Sequence, residues 1–259
     1  MKFQDKSDYY LELAKSDLID RVRHLLTNEG YYLSDENGKI TATLHQTWNT
    51  PWHHNYDDGQ SDCYIWHSII FDNLGFIPTG CLNCFKVVVR PKTLKQLFAL
   101  LDLQIELGLP CKCGIETRPT VRGLYGGYFY NRGLENGLHC YKKVTEAMSN
   151  DRELAELVPK VILKRACTEF EMKFGRSDQW TITEDDYRTE QQVEALFERK
   201  TPIPQPQHVL DHIHANWIKW AWAADDSTVD MFTGGVPLFR PVCQYQTLKL
   251  EDLVKVKNE

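Results

Sequence analysis

An apolar strand, an amphipathic helix and a second strand follow one another in the middle of the sequence. Residues 85–90 are typical of a strand, and Thr93 can cap a helix whose leucines recur at helical spacing up to Gly108. A second strand is predicted near residues 113–118. This succession predicts a central β-α-β unit and an α/β or α+β fold, in which flanking helices cover a mixed sheet.

Other helices and a hairpin flank this unit. Residues 31–44 alternate around a turn and predict a β-hairpin. The proline-rich residues 201–206 form a stiff connector, after which 208–259 is a C-terminal subregion ending in strands over 236–250. We expect residues 1–259 to form a single compact domain. Helical patterns cover residues 11–25, 63–70, 134–149, 151–174 and 208–224.

Two closely spaced cysteine pairs, Cys81/Cys84 and Cys111/Cys113, each come just before a predicted strand. If the two strands are parallel, their first residues share one edge of the sheet, and the crossover helix brings the pairs together. Cysteines separated by two residues are typical ligands of zinc and of iron–sulfur clusters. The spacing predicts a site in which these sulfurs bind zinc or a 4Fe-4S cluster, with Cys140 as a reserve ligand.

Two alternatives to this site follow from the same residues. Cys63 and His67 lie one helical turn apart and could complete a mixed zinc site with Cys81 and Cys84. The cysteines could instead be small buried hydrophobic residues, as free cysteines commonly are. The sequence leaves zinc, an iron–sulfur cluster and buried thiols open.

Arginines and tyrosines interleave around two glycines in residues 118–133, which we interpret as an exposed loop. Guanidinium groups pair bidentately with phosphate or carboxylate, and tyrosine rings stack on planar groups. The composition therefore predicts a site for a nucleotide or another anionic ligand, although an ordered structural loop would have the same composition. The candidate ligand-binding residues are Arg118, Arg122, Gly126, Gly127, Tyr128 and Arg132, and the candidate catalytic residues are Tyr125 and Tyr130.

Histidines gather at two further places in the chain. His208 and His212 share one face of a predicted helix, as two metal-binding imidazoles would require, and His214 follows them. His53 and His54 precede two aspartates, Asp57 and Asp58. Histidines beside a core helix commonly only form hydrogen bonds, so a second metal site is the weaker interpretation.

Composition limits the compartment and the partners. The formal net charge of −6 gives no basic excess for nucleic acid, which stays possible but is not favoured. No apolar run approaches the roughly 20 residues that cross a bilayer, and the first residues do not predict a signal peptide. We expect a cytoplasmic protein without a membrane partner, whose eight cysteines stay reduced.

Two functions fit these expectations. The first is a metal- or iron–sulfur-binding enzyme that acts on a nucleotide or another anionic small molecule. The second is a zinc-stabilised, non-catalytic protein that binds nucleic acid or a protein partner. The sequence specifies neither the reaction nor the oligomeric state.

Overall fold

The structure is a computed structural model that describes residues 17–36, 39–43, 50–55, 63–198 and 204–236, and Leu238. The predicted strands over 236–250 lie almost entirely outside these ranges, as do Asp57 and Asp58 and the beginning of the first predicted helix. None of the helices in the described ranges is long and apolar enough to cross a membrane.

The described residues form helices and strands in alternation. The helices are α1 (Leu18–Asn28), α2 (Asp72–Leu74), α3 (Thr79–Leu82), α4 (Leu94–Leu107), α5 (Leu134–Asn150), α6 (Thr168–Phe174), α7 (Glu184–Leu196), α8 (Gln207–Ala223) and α9 (Asp230–Thr233). A π-helix covers Tyr64–Phe71, and 3-10 helices cover Ala155–Lys160 and Ser177–Gln179. The strands are β1 (Tyr32–Glu36), β2 (Lys39–Thr43), β3 (Trp52–Asn55), β4 (Cys84–Val89), β5 (Cys111–Ile115), β6 (Tyr125–Arg132) and β7 (Ile162–Arg165).

The strands form two sheets and confirm the α+β class. Strands β1 and β2 make the predicted hairpin, and the other five pair in the order β3-β5-β6-β4-β7. Every pairing in the five-stranded sheet is antiparallel, where a mixed sheet was expected. The predicted unit β4-α4-β5 is present, but β6 lies between its two strands.

The central connectivity is β4-α4-β5-β6-α5-β7, with β4 and β6 in the middle of these four strands. This is the split β-α-β arrangement of ferredoxin-like units, to which β3 adds a fifth strand at the β5 edge. The arrangement hosts many unrelated functions, so function has to be argued from side chains.

Local signals explain why α4 was predictable. The Thr93 side chain accepts a hydrogen bond from the amide of Gln96, and Gly108 ends the helix with a φ of 60°. The leucines between them are buried against the sheet, among them the fully buried Leu97 and Leu100. Their burial stabilises the helix more than its intrinsic propensity does.

Residues 151–174 do not form the continuous helix that was predicted. A 3-10 helix containing Pro159 comes first, then β7, and only α6 is α-helical. Proline removes one backbone donor and interrupts helical hydrogen bonding, and residues 162–165 instead pair with the edge of β4.

The five-stranded sheet has two chemically different faces, because successive side chains of a strand point to opposite sides. One face is apolar and packs against α4, α5 and α8, with Val87 and Phe129 at its centre. The other face carries Lys86 on β4, Lys112 on β5, and Tyr128 and Tyr130 on β6. We call it the polar face.

Helix α8 holds the edge strand β3 and the start of α4 in place. Trp217 is fully buried, and its Nε1 donates a hydrogen bond to the carbonyl oxygen of Pro51 at 2.8 Å. Beyond the helix, Asp226 accepts hydrogen bonds from the Tyr125 hydroxyl at 2.5 Å and from the Leu94 amide at 2.6 Å. These contacts fix β3 beside β5, where it adds Trp52 to the polar face.

Candidate anion-binding site

The sheet separates the two cysteine pairs. Cys84 lies opposite Arg132, whereas Cys111 lies opposite Phe129 and Cys113 opposite Gly127. These registers place Cys84 on the polar face and Cys111 and Cys113 on the apolar face. The prediction that all four sulfurs surround one ion is therefore wrong, because Cys84 and the pair Cys111/Cys113 lie on opposite faces of the sheet.

Three of the predicted metal ligands lie in the core under the helices. Cys111, Cys113 and Cys140 are buried among the side chains that join the sheet to α4 and α5. Burial raises the pKa of Cys111 to about 12 and raises the pKa of Cys113 and Cys140 as well. These thiols stay protonated at neutral pH and pack as small hydrophobic groups.

Cys81 lies in a different cluster from the core thiols. Its Sγ is 2.9 Å from Nδ1 of His67, which joins two residues of the alternative zinc site. The buried carboxylate of Glu190 accepts hydrogen bonds from the amide and hydroxyl of Thr79, which hold the first turn of α3. In the part of the chain that the structure describes, no three His, Cys, Asp or Glu side chains are grouped to hold a metal ion. Zinc or iron–sulfur binding by Cys81 and Cys84 stays a prediction.

Residues 125–132 are a central strand and not the exposed loop that was expected. Tyr128 and Tyr130 lie on the polar face, with ring centroids 6.5 Å apart. Tyr125 lies on the apolar face, where its hydroxyl binds Asp226. The two candidate catalytic tyrosines are therefore on opposite sides of the sheet, and Tyr125 has a structural role.

The two glycines of this strand allow close packing rather than a flexible backbone. A side chain at Gly127 would overlap Leu100 of α4. A Cβ atom at Gly126 would lie 2.8 Å from Nη1 of Arg90. Neither glycine has a positive φ, so both are explained by space and not by an unusual backbone conformation.

The three candidate arginines have different surroundings. Arg118 donates hydrogen bonds to both oxygens of Glu116 at 2.7 and 2.8 Å and to Glu169 at 2.8 Å. Its charge is already neutralised, and its first role is to hold these carboxylates. Arg122 is exposed in the segment between β5 and β6, and Arg132 is exposed at the end of β6. The structure does not bring the three guanidinium groups together.

Lys86 is a buried cation at the centre of the polar face. Its side chain is only 6% exposed, and Nζ donates a hydrogen bond to Sγ of Cys167 at 3.3 Å. The same Nζ lies 5.7 Å from the ring centroid of Tyr128 and 6.0 Å from that of Tyr130. Burial opposes its charge, but the neighbouring Cys167 and Cys84 raise the pKa of Lys86 above its ordinary value, so Lys86 stays protonated.

Lys112 is a second cation beside the same rings. Its Nζ lies 4.7 Å from the ring centroid of Trp52, 5.9 Å from that of Tyr128 and 6.0 Å from that of Tyr130. Burial and the nearby charge of Lys86 lower the pKa of Lys112 to about 8. Neither lysine forms an ion pair with a carboxylate within the described ranges.

Arg90 adds a third cation at the rim of the polar face. Its guanidinium carbon lies 5.1 Å from the ring centroid of Tyr128, and its Nη1 is 3.5 Å from a carboxylate oxygen of Glu116. The charges are paired at that distance, but Nη1 is buried and forms no hydrogen bond with any described residue. The polar face thus carries more cationic than anionic groups.

Sequence reasoning missed both lysines, although each left a signal. Lys86 interrupts a run of apolar strand residues, and Lys112 stands between two cysteines that point to the core. A lysine inside a buried strand is rare unless it has a partner or a function. The arginines of residues 118–133 are the more conspicuous cations in the sequence.

The histidines of α8 do not form a shared metal site. His208 and His212 are exposed, whereas His214 points into the structure. Nε2 of His214 lies 2.9 Å from Nδ1 of His53 on β3, and the two rings stack with centroids 5.1 Å apart. One ring nitrogen donates to the other, so the pair is stable only while at least one imidazole is neutral.

This pair predicts a loss of stability in mild acid. Burial and the neighbouring imidazole lower the pKa of His53 to about 4, and burial lowers the pKa of His214. An unfolded histidine titrates near 6.5, so the unfolded state binds more protons as the pH falls from about 6.5 to 4. We expect urea denaturation to show a stability loss on the order of 2 to 3 kcal/mol from this pair across that interval.

A variant separates this effect from the titration of carboxylates. His53→Gln removes one imidazole of the pair, and His208→Gln removes an exposed imidazole on the same helix as His214. The difference in stability between wild type and His53→Gln should shrink as the pH falls. A difference that stays constant between pH 7 and 4 would contradict the assignment.

A comparison with protein-family models, curated protein sequences and solved structures finds no match to this chain. Support for a function therefore comes from the side chains of the polar face.

Proposed function

We propose that the polar face binds a small ligand carrying a phosphate or carboxylate group, held by Lys86 and Lys112. Both lysines lie beside the rings of Tyr128 and Tyr130, and neither has a carboxylate partner in the described ranges. This observation is the main support for the proposal. An anion between the ammonium groups would relieve their mutual repulsion.

Energetics support a ligand over a purely structural role. Removing an ammonium group from water costs several kcal/mol unless an opposite charge or hydrogen bonds compensate. Cation–π contacts return only about 0.5 to 2 kcal/mol each. The sulfur of Cys167 is a weak acceptor for Lys86, and Nζ of Lys112 forms no hydrogen bond to the described residues. A phosphate or carboxylate would supply the missing acceptors.

The aromatic side chains favour a ligand with a planar part. Trp52 and Tyr128 lie edge to face with centroids 5.6 Å apart, and Lys112 lies over both rings. A base or another conjugated group could stack beside the anionic group, as in nucleotide sites. The same combination of cations and rings also suits single-stranded nucleic acid, which is the alternative ligand.

An enzyme is favoured over a binding protein by the nature of Lys112. Simple anion binding needs only fixed cations such as Lys86. Catalysis also needs a group that exchanges protons near neutral pH, and the pKa of Lys112 is lowered to about 8. Tyr130, a candidate catalytic residue from the sequence, lies beside both lysines.

Titration calorimetry with pyrophosphate at low salt tests the proposal. Lys86→Met and Lys112→Met should each weaken binding by about 10- to 100-fold, because each removes one charge-assisted contact worth roughly 1.5 to 3 kcal/mol. Lys142→Met is the matched control, since Lys142 is exposed on α5, on the opposite side of the sheet.

Two results would contradict the proposal. The first is wild-type affinity in both Lys86→Met and Lys112→Met. The second is a wild-type protein that binds neither pyrophosphate nor citrate. A preference of more than about a hundredfold for a single-stranded oligonucleotide, with a steep dependence on salt, would instead support the nucleic-acid alternative.

A further inference from the structure

The two lysines of the polar face differ in what they can do. Lys86 is buried and donates to Cys167, so its ammonium group is held in one position. Lys112 is only partly buried. It lies opposite the exposed His54 of β3, and the two side chains are on the same face of the sheet. Its Nζ has aromatic neighbours and no hydrogen-bond partner among the described residues. One lysine is suited to hold a charge, and the other has a free amine.

We propose that Lys112 is a nucleophilic amine that forms an imine with a carbonyl compound whose carboxylate or phosphate group is held by Lys86. The assignment rests on the proposed anion site and names its substrate class as an anionic aldehyde or ketone. It needs no cofactor and no oxidant.

The chemistry balances with the groups on the polar face. The Nζ lone pair of Lys112 attacks the carbonyl carbon, and the carbon–oxygen π bond opens to give a carbinolamine. Loss of water then forms the carbon–nitrogen double bond. The oxygen leaves with both protons of the original amine, so carbonyl and amine give imine and water. The ammonium of Lys86 can donate a hydrogen bond to the departing oxygen, and Tyr130 is the second nearby acid.

The surroundings of Lys112 favour its neutral amine over its ammonium form. A desolvated lysine next to another cation loses its proton more readily, which is the usual way to activate a lysine nucleophile. The pKa of about 8 leaves a substantial neutral fraction of Lys112 at pH 7.5. Exposed Lys142 and Lys143, on α5, serve as internal references in the same protein.

The thiol of Cys167 is the competing nucleophile. It lies 3.3 Å from Nζ of Lys86 and follows Ala166, whose φ of 49° is unusual for a residue other than glycine. A thiol adds reversibly to an aldehyde and cannot form an imine. Reduction with cyanoborohydride therefore records attack by an amine and not by this thiol.

Reductive trapping tests the assignment. The full-length protein is treated at pH 7.5 with glyoxylate and sodium cyanoborohydride, and the modified lysines are located by peptide mass spectrometry. Acetaldehyde is the matched neutral probe, and Lys86→Met is the variant without the anchoring charge. We expect glyoxylate to modify Lys112 at least roughly tenfold faster than Lys142 or Lys143, because burial and the nearby Lys86 favour the neutral amine of Lys112. Pyrophosphate should protect Lys112 from modification. The Lys86→Met substitution should slow modification by glyoxylate more than modification by acetaldehyde.

The outcomes separate this inference from the proposed function. If calorimetry shows pyrophosphate bound through both lysines but glyoxylate modifies Lys112 no faster than Lys142, the nucleophile assignment is overturned and the anion site stands. If Lys112 reacts rapidly but equally with both probes, without protection by pyrophosphate, the anionic substrate class is overturned together with the anion site. Selective, protected modification supports both.

Discussion

Replacing Gly114 with alanine should lower the free energy of unfolding by about 2 to 3 kcal/mol, because the new methyl group would overlap the backbone of the neighbouring strand. Gly114 lies opposite Trp52, and a Cβ atom there would overlap the carbonyl oxygen of Pro51. That oxygen also accepts a hydrogen bond from Trp217. Relief of the overlap therefore requires β3 to move away from β5 and to give up contacts to α8.

Gly80→Ala is the matched control for this substitution. The nearest atom to a Cβ at Gly80 would be Nε2 of His67 at 3.6 Å, an ordinary contact distance. The free energy of unfolding of the control should lie within about 1 kcal/mol of the wild-type value, since alanine also favours the helical conformation of α3. Urea denaturation measures both variants. Equal stability of Gly114→Ala and Gly80→Ala would show that β3 does not pack against β5 as described.

Replacing Lys112 with methionine should raise the free energy of unfolding at pH 7, although it should weaken anion binding about 10- to 100-fold. Burial and Lys86 lower the pKa of Lys112 from 10.5 to about 8, so its charge costs the folded state on the order of 3 kcal/mol. Methionine fills a similar volume among Trp52 and Tyr128 and needs no counter-ion. Cation–π contacts are lost, and we expect a net gain of about 1 to 3 kcal/mol.

The pH dependence has a defined sign. Below pH 8 both states bind the proton of Lys112, and the full cost is present. Between pH 8 and 10.5 the unfolded state binds more protons than the folded state, so wild-type stability rises relative to Lys112→Met. Urea denaturation at pH 7, 8.5 and 10 should therefore show a shrinking advantage of the variant. A variant that is less stable than wild type at pH 7 would assign Lys112 a structural role.

The sequence predicted the elements whose signals are local. Helix α4 has its cap at Thr93, a run of leucines and a stop at Gly108, and α5 and α8 likewise match their predicted bounds closely. Strand β6 was missed because Gly126 and Gly127 are typical of turns. Their actual cause is the closeness of Leu100 and Arg90, which only the packed structure reveals.

The failure of the cysteine prediction follows from the same strand. Strands β4 and β5 both run antiparallel to β6, so they begin at the same edge of the sheet, as expected. The strand registers, however, decide which face each thiol occupies. One residue of register moves a side chain to the other face. Cys84 therefore shares its face with Lys86, while Cys113 lies in the core. No spacing rule in the sequence contains that information.

The site that we propose has the chemistry expected from the sequence but a different position. Cations interleaved with tyrosines were expected to bind an anion, and Tyr128 and Tyr130 belong to the site that we propose. The cations beside them come from β4 and β5 and not from residues 118–133. Arg118, which looked like a ligand in the sequence, is neutralised by Glu116 and Glu169.

The most direct test of the anion site is the pKa of Lys112 with and without an anion. Selective labelling of the lysine ε-carbon with ¹³C, with Lys112→Met to assign the signal, allows NMR titration of this one amine. We expect a titration midpoint of about 8 in the free protein and a higher one with saturating pyrophosphate, because a bound anion stabilises the charged amine. An ordinary lysine midpoint near 10.4 that pyrophosphate does not change would contradict it.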